Sequence, residues 1–256
     1  MFPILRLLTR DVRATFDKSL LVLQLVLPLL YLFVAGFSYT NLIAPLQVNG
    51  RAISYQQFLA AGVVLQTVMT GSLFAGLLLW VDKRLAMFEQ ILMGPFTRSQ
   101  YAFSKILSSM VIGLGGAVII VGFAVPFFVG ITPSLVGVLI GFAAVFLAAL
   151  FFGSFAVALS SFLKSTESFN VAINLLFVVF TFVSSSFYPV SAAPPLLQGF
   201  LLFNPLTHAD DLLRLGMYGL APPSSCMRVS RWCLRLFLLS DLRCSPSEES
   251  KSKANG

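Results

Sequence analysis

Apolar stretches of about twenty residues recur along this chain between short polar segments, and each is long enough to cross a hydrocarbon core of about 30 Å as a helix. Ser19–Tyr39, Phe58–Val81 and Phe169–Tyr188 are three such stretches, each free of Asp, Glu, Lys and Arg. From Ile106 to Leu163 there is again no charged residue. As one helix rising about 1.5 Å per residue, that run would be roughly 87 Å long, so it must fold back on itself. Gly130-Ile131-Thr132-Pro133-Ser134 supplies the turn, a flexible residue followed by a helix breaker. One span therefore ends before Gly130 and another runs from Leu135 to Leu163. The expected fold class is all-α, a polytopic transmembrane helical bundle with five spans.

The polar segments carry pattern of their own. Leu5, Leu8, Val12 and Phe16 recur at helical spacing while Arg6, Arg10, Arg13 and Asp17 share another face. This predicts an amphipathic helix on the membrane surface ahead of the first span, although a plain basic flank would hold the same residues. Between the second and third spans, Asp82 to Lys105 is too long for a tight turn. Glu89 to Met93 suits a helical turn, Gly94-Pro95 would end it, and Thr97 is placed to cap the next helix. A short helix held across the membrane surface suits docking to a partner, and an ordinary solvated loop is the alternative. Leu196–Leu202 is apolar, too short to cross, and bracketed by Pro194-Pro195 and Pro205, which predicts a re-entrant or interfacial helix.

Composition strengthens the membrane reading. The chain is 57% hydrophobic and 11% charged, with 26 Phe, where a soluble domain averages about 25% charged. Its formal net charge of +7 follows from where the bases lie. Arg6, Arg10, Arg13 and Lys18 precede the first span, Lys83, Arg84, Arg98 and Lys105 lie between the second and third, and Lys164 lies between the fourth and fifth. The alternate loops are nearly bare, so the positive-inside rule puts the N-terminus in the cytoplasm. Topogenic charge beside anionic lipid accounts for the basicity, and no basic stripe interleaved with aromatics suggests nucleic-acid binding. The first apolar stretch exceeds the roughly 7 to 15 residues of a signal-peptide core, so it is read as a retained anchor.

No catalytic residues are expected. His208 is the sole histidine, Cys226, Cys233 and Cys244 all lie near the C-terminus, and no Gly-Lys dipeptide exists to build a phosphate-binding loop. Any ATP would have to be bound by another subunit. Within the spans, Asn170 and Asn174 are four apart on one helix face, where they could line a substrate path or bond a neighbouring helix. Gly137 and Gly141 form a G-x-x-x-G pair that favours close helix contact.

Two segments carry a family resemblance. Glu89-Gln90-Ile91-Leu92-Met93-Gly94-Pro95-Phe96-Thr97-Arg98 resembles the cytoplasmic loop of ABC-2 type transporter permeases. After the fifth span, Asn204-Pro205-Leu206-Thr207-His208-Ala209-Asp210-Asp211-Leu212-Leu213-Arg214 resembles that family's signature, usually N-P-L-T, an aromatic, then an acid and Arg. Asn204, Pro205, Leu206, Thr207, Asp211 and Arg214 match it, and His208 departs from the aromatic. The resemblance covers roughly Met1 to Gly219, and relatives of the daunorubicin-resistance and nodulation-export kinds are closest in style. It implies the membrane subunit of an ABC exporter, a homodimer or paired permease in the cell membrane. A separate ATPase carrying ATP and Mg would dock on Glu89, Gln90, Ile91, Leu92, Pro95 and Arg98. The substrate class implied is amphipathic, lipid-like or polysaccharide, and a non-transporting scaffold or channel subunit is the alternative. Asp211 and Arg214, three apart, are placed to pair on one helix.

The family pattern expects a sixth span, which the tail does not offer. Residues 1–220 read as the transmembrane domain and 221–256 as an atypical basic tail. In that tail Arg228, Arg231, Arg235 and Arg243 interrupt every apolar run. The composition change suggests a shifted reading frame or truncated gene, or else an amphipathic surface helix with Leu234, Phe237 and Leu238 as its apolar side.

Overall fold

A computed structural model of the protein describes residues 8–11, 25–40, 45–48, 51–84, 93, 97–124, 134–163 and 165–218. The basic tail, and Glu89, Gln90, Ile91, Leu92 and Pro95 of the loop, lie outside the described residues. In chain order, α1 (Leu25–Ala35) leads into α2 (Gly36–Thr40), and β1 (Leu46–Val48) pairs antiparallel with β2 (Arg51–Ile53). Then follow α3 (Tyr55–Arg84), α4 (Arg98–Ala124), α5 (Leu135–Phe162), α6 (Thr166–Phe182), a 3-10 turn at Val190–Ala192, α7 (Pro195–Phe203) and α8 (Pro205–Tyr218). The small β1–β2 hairpin is the one strand pair among the described residues, an addition to the helices expected.

Helix boundaries follow local chemistry. Thr97 and Gln100 form a reciprocal capping box, the Thr97 hydroxyl accepting from the Gln100 backbone N–H and the Gln100 side-chain Oε1 from the Thr97 backbone N–H. Ser54 and Gln57 repeat the device at the start of α3. Ser134, the last residue of the predicted turn, caps α5 through the Gly137 N–H. The last five residues of α1, Tyr31–Ala35, are π-helical, an irregularity that follows directly on Pro28 and its missing N–H. By length and composition Gln100–Ala124 and Leu135–Ser160 are each long and apolar enough to cross a membrane.

The core is built on α3. Its residues Phe58 to Met69 are buried on every side, as expected of a helix apolar all round. Helices α4 and α5 pack against it, and α8 packs along α5. Where backbones approach, small residues face each other: Thr67 meets Gly116, Ser72 meets Gly113, and Ser109 meets Gly153. Two of the three hydroxyls in these seams return their protons to their own helix, Thr67 to the Val63 carbonyl at 2.9 Å and Ser109 to that of Ile106 at 2.6 Å. An apolar interior can therefore hold these two without an unmade bond.

Gly137 and Gly141 do mark a close contact, and its other side is Gly216 of α8. A Cβ on Gly137 would overlap the Gly216 carbonyl oxygen, a backbone atom that has no rotamer to yield. Gly137→Val should therefore lower the unfolding temperature in detergent, at a cost of about 3 kcal/mol for forced overpacking. Gly122→Val, on an exposed part of α4 with nothing within 4 Å, should leave it unchanged. Equal melting of the two variants would refute the contact.

Candidate functional site

Two polar clusters lie near the two ends of α3. Asp82 and Phe58 mark them, separated by twenty-four residues of one helix, or about 36 Å. That length brackets a hydrocarbon core of about 30 Å.

The first cluster gathers residues from three places in the chain. Asp11 comes from the N-terminal helical turn, Asp82 from the end of α3, just past the apolar run, and Tyr101 and Lys105 from the first turns of α4. Lys105 Nζ lies 2.8 Å from Asp11 Oδ2 and 2.7 Å from Asp82 Oδ2. Arg10 Nη2 reaches Asp82 Oδ2 at 2.7 Å and Asp11 Oδ1 at 2.9 Å. The Tyr101 hydroxyl donates to Asp82 Oδ2 at 2.7 Å, and the Lys105 ammonium stands 5.4 Å from the Tyr101 ring centroid. Two bases against two acids leave the group neutral. Burial alone would raise the Asp82 carboxyl, but hydrogen bonds from Lys105 and Tyr101 and the charges of Lys105 and Arg10 hold it below its ordinary value.

Lys105, counted among the bases between the second and third spans, is not a loop residue. It lies inside α4, and its side chain is 1% exposed. Arg10, counted as topogenic, is half of an ion pair with a residue 72 positions away. Asp11 and Asp82 were missed as partners; the signal available was an acid directly beside a base, Asp11 after Arg10 and Asp82 before Lys83.

The second cluster is the Asn204–Arg214 segment. Asn204 accepts the Leu206 N–H at 2.9 Å and donates to the carbonyls of Phe180 and Val183. It thus caps α8 and ties it to the end of α6. Pro205 takes the first helical position, where its missing N–H costs nothing. Thr207 accepts the Ser185 N–H at 3.2 Å, and the Ser186 hydroxyl donates to Asp210 Oδ2 at 2.6 Å. His208 holds its Nε2 2.8 Å from the Leu202 carbonyl, which can only accept, so that nitrogen carries the proton. The residue that departs from the aromatic pattern thus makes a structural bond.

Arg214, 2% exposed, is the hub. It donates to the Ser185 carbonyl at 2.8 Å, the Ser185 hydroxyl at 3.2 Å and the Phe58 carbonyl at 3.3 Å. Its guanidinium carbon lies 3.7 Å from the Phe58 ring centroid, and Asp211 pairs with it at 3.5 Å, as the spacing suggested. Helix α6 ends at Phe182, six residues short of the Tyr188 expected, because Ser184 to Ser186 leave helical geometry to make these bonds. Leu206 and Leu213 are buried between α8 and the bundle. Of the loop residues, Arg98 begins α4, and Met93 is 84% exposed.

Long apolar helices, small-residue seams and polar groups gathered at the two ends define a helical integral membrane protein. Residues 4–218 match the sequence profile of the ABC-2 type transporter family. The chain is similar to transport permease ycf38 of Porphyra purpurea, 29% identical over 196 residues that cover 76% of this chain and 66% of that protein. It is also similar to nodulation protein J of Rhizobium leguminosarum bv. viciae, 23% identical over 229 residues, 83% of this chain and 82% of that protein. The chain belongs to the ABC-2 type transporter family and is a transport permease subunit.

Proposed function

We propose that this chain is the membrane half of an ATP-driven exporter, with five spans and its N-terminus in the cytoplasm. Two copies move an amphipathic, lipid-like or polysaccharide substrate outward by alternating access, powered by a separate ATPase that binds ATP and Mg. That ATPase docks on the segment between Asp82 and Lys105, through Glu89, Gln90, Ile91, Leu92, Pro95 and Arg98. The short α7 dips into the outer face without crossing.

The observation that carries this reading is the ionic cluster. Near the end of α3, Asp82 accepts from the Tyr101 hydroxyl and pairs with the Lys105 ammonium of α4, each at 2.7 Å, so the segment between them is anchored at both ends. Asp11 joins the N-terminal helix to the same point. A push on the loop is therefore delivered to α3, α4 and the N-terminal helix together, as coupling to a nucleotide-driven partner requires. ATP binding shifts the permease only if the two conformations present different contacts to the partner.

Reversing one charge tests the docking. Glu89→Lys should reduce ATPase copurification and transport at least tenfold while membrane yield stays at the level of the native chain, as a change confined to the docking charge requires. Normal transport with normal ATPase binding would refute the docking site.

A further inference from the structure

Asp210 is an acid buried without a base bonded to it. It is 0% exposed, and its Oδ1 has no hydrogen-bond partner. The charged and titratable groups that share α8 with it are engaged elsewhere. Arg214 pairs with Asp211 and donates to Ser185 and Phe58, and His208 bonds the Leu202 carbonyl. The elements packed against this part of α8 add no charge: α3 presents Phe58 and Gly62, α5 presents Ala144 and Ala148, and the end of α6 presents hydroxyls. Ala209, the residue before Asp210, shares a small apolar cleft with Ala144 and Ala148, nine and thirteen residues into α5. That is about 14 to 20 Å along a helix long enough to cross a hydrocarbon core of about 30 Å. An ionised carboxylate at such depth needs a counter-charge bonded to it, as Asp82 has in Lys105.

The hydrogen bonds count the protons. The Thr181 carbonyl oxygen lies 2.8 Å from Ser184 Oγ, Ser184 Oγ lies 2.8 Å from Ser186 Oγ, and Ser186 Oγ lies 2.6 Å from Asp210 Oδ2. Three contacts need three protons, and the two hydroxyls supply two. A carbonyl only accepts, so Ser184 donates to Thr181 and Ser186 must donate to Ser184. Were Asp210 ionised, Ser186 would turn its proton to the acid, and one of the two contacts of Ser184 would hold none. A proton on Oδ2 reverses that last bond and completes the set. From this we infer that Asp210 is a proton-binding site, a neutral carboxylic acid that donates to Ser186 and closes a one-way chain to the end of α6. The proton is taken from water and returned to it, and a group that is fully buried exchanges it only when α8 parts from the Ser184–Ser186 segment. On the export reading, on which this step alone rests, opening of the outer end hydrates Asp210 and releases the proton outward.

Infrared spectroscopy of the full chain in lipid at neutral pH tests the site directly. The native chain should show the C=O stretch of a protonated carboxyl group. Asp210→Asn should abolish it, while the new amide donates to Ser186 in place of the acid and keeps the fold. Asp211→Asn should leave the band in place. Chemical unfolding in detergent gives a second readout. The folded state holds a proton that the unfolded chain gives up, so the folded-to-unfolded ratio should fall by up to tenfold per unit as the pH rises above about 4. Asp210→Asn should remove that slope. Three results would overturn the inference: no band in the native chain, a band that survives Asp210→Asn, or a folded-to-unfolded ratio that follows sodium concentration instead of pH, which would put a metal cation at the carboxylate. Export by the native chain should slow as the outer medium is acidified, and export by Asp210→Asn should not. A chain that shows the band yet exports alike at every outer pH would sink the release step. A chain that exports nothing with its ATPase bound would sink the export reading and leave the band untouched.

Discussion

Lys105→Met should cost about 3 to 5 kcal/mol of stability, because it strips the shared counter-ion from two buried carboxylates and leaves Arg10 alone to balance them. Arg10 is the weaker partner, since its side chain is 37% exposed and screened by water. The expected result is a large fall in unfolding temperature in detergent and a low yield in membranes. The double variant Asp11→Asn, Lys105→Met removes one charge of each sign and keeps the Arg10–Asp82 pair at 2.7 Å. It should recover more than half of the loss, a non-additivity that isolates charge balance from packing. If the double variant is as unstable as the single, the cluster is held by shape and the joint loses its electrostatic basis. The pH dependence has a definite sign. Asp82 is held below the ordinary carboxyl value despite its burial, so its contribution is complete above about pH 4 and is lost as the pH falls through the lower folded value. Acid should weaken the native chain there, and Asp82→Asn should flatten that part of the profile.

Arg214→Met should be nearly as damaging, again about 3 to 5 kcal/mol, for a different reason. The substitution keeps the length of the side chain but leaves the Ser185 and Phe58 carbonyls without their donor and Asp210 and Asp211 without a nearby cation. Arg214→Lys should not rescue it. An ammonium has no planar fork to reach the Ser185 and Phe58 carbonyls together while stacking on the Phe58 ring. Thermal unfolding of the purified variants reads the loss, and limited proteolysis between α6 and α8 locates it. Native stability in Arg214→Lys would mean that the charge alone suffices and that the hydrogen bonds to the end of α6 contribute little.

Much of this architecture is written locally and so is legible in the chain. The uncharged run from Ile106 to Leu163 forces a fold-back whatever surrounds it, and α5 indeed begins at Leu135, one residue after the predicted turn. Thr97 caps α4 because a hydroxyl three residues before Gln100 reaches its N–H in any context. Asp211 and Arg214 meet because a helix turns once in 3.6 residues. The motif residues were legible too, but their work was not: Asn204, Thr207 and Arg214 bond carbonyls and amides of a segment some twenty to thirty residues earlier, and a pattern along the chain does not say which segment lies opposite.

The tertiary structure alone decided which charges are buried and which small residues touch. Lys105, Arg10 and Asp82 have the composition of loop charges, and hydropathy treats them so, since it sums residues in a window and has no access to partners 72 positions apart. Once α3, α4 and the N-terminal turn pack together, the charges of Arg10, Asp11, Asp82 and Lys105 neutralise each other and become cheaper to bury together than any would be alone. Gly137 was legible as half of a close contact, whereas its partner Gly216, on a helix of fourteen residues near the end of the bundle, was not. Hydrophobic length and capping are properties of neighbours in sequence. Ion pairing and backbone approach are properties of neighbours in space, and for this protein the site is made of the second kind.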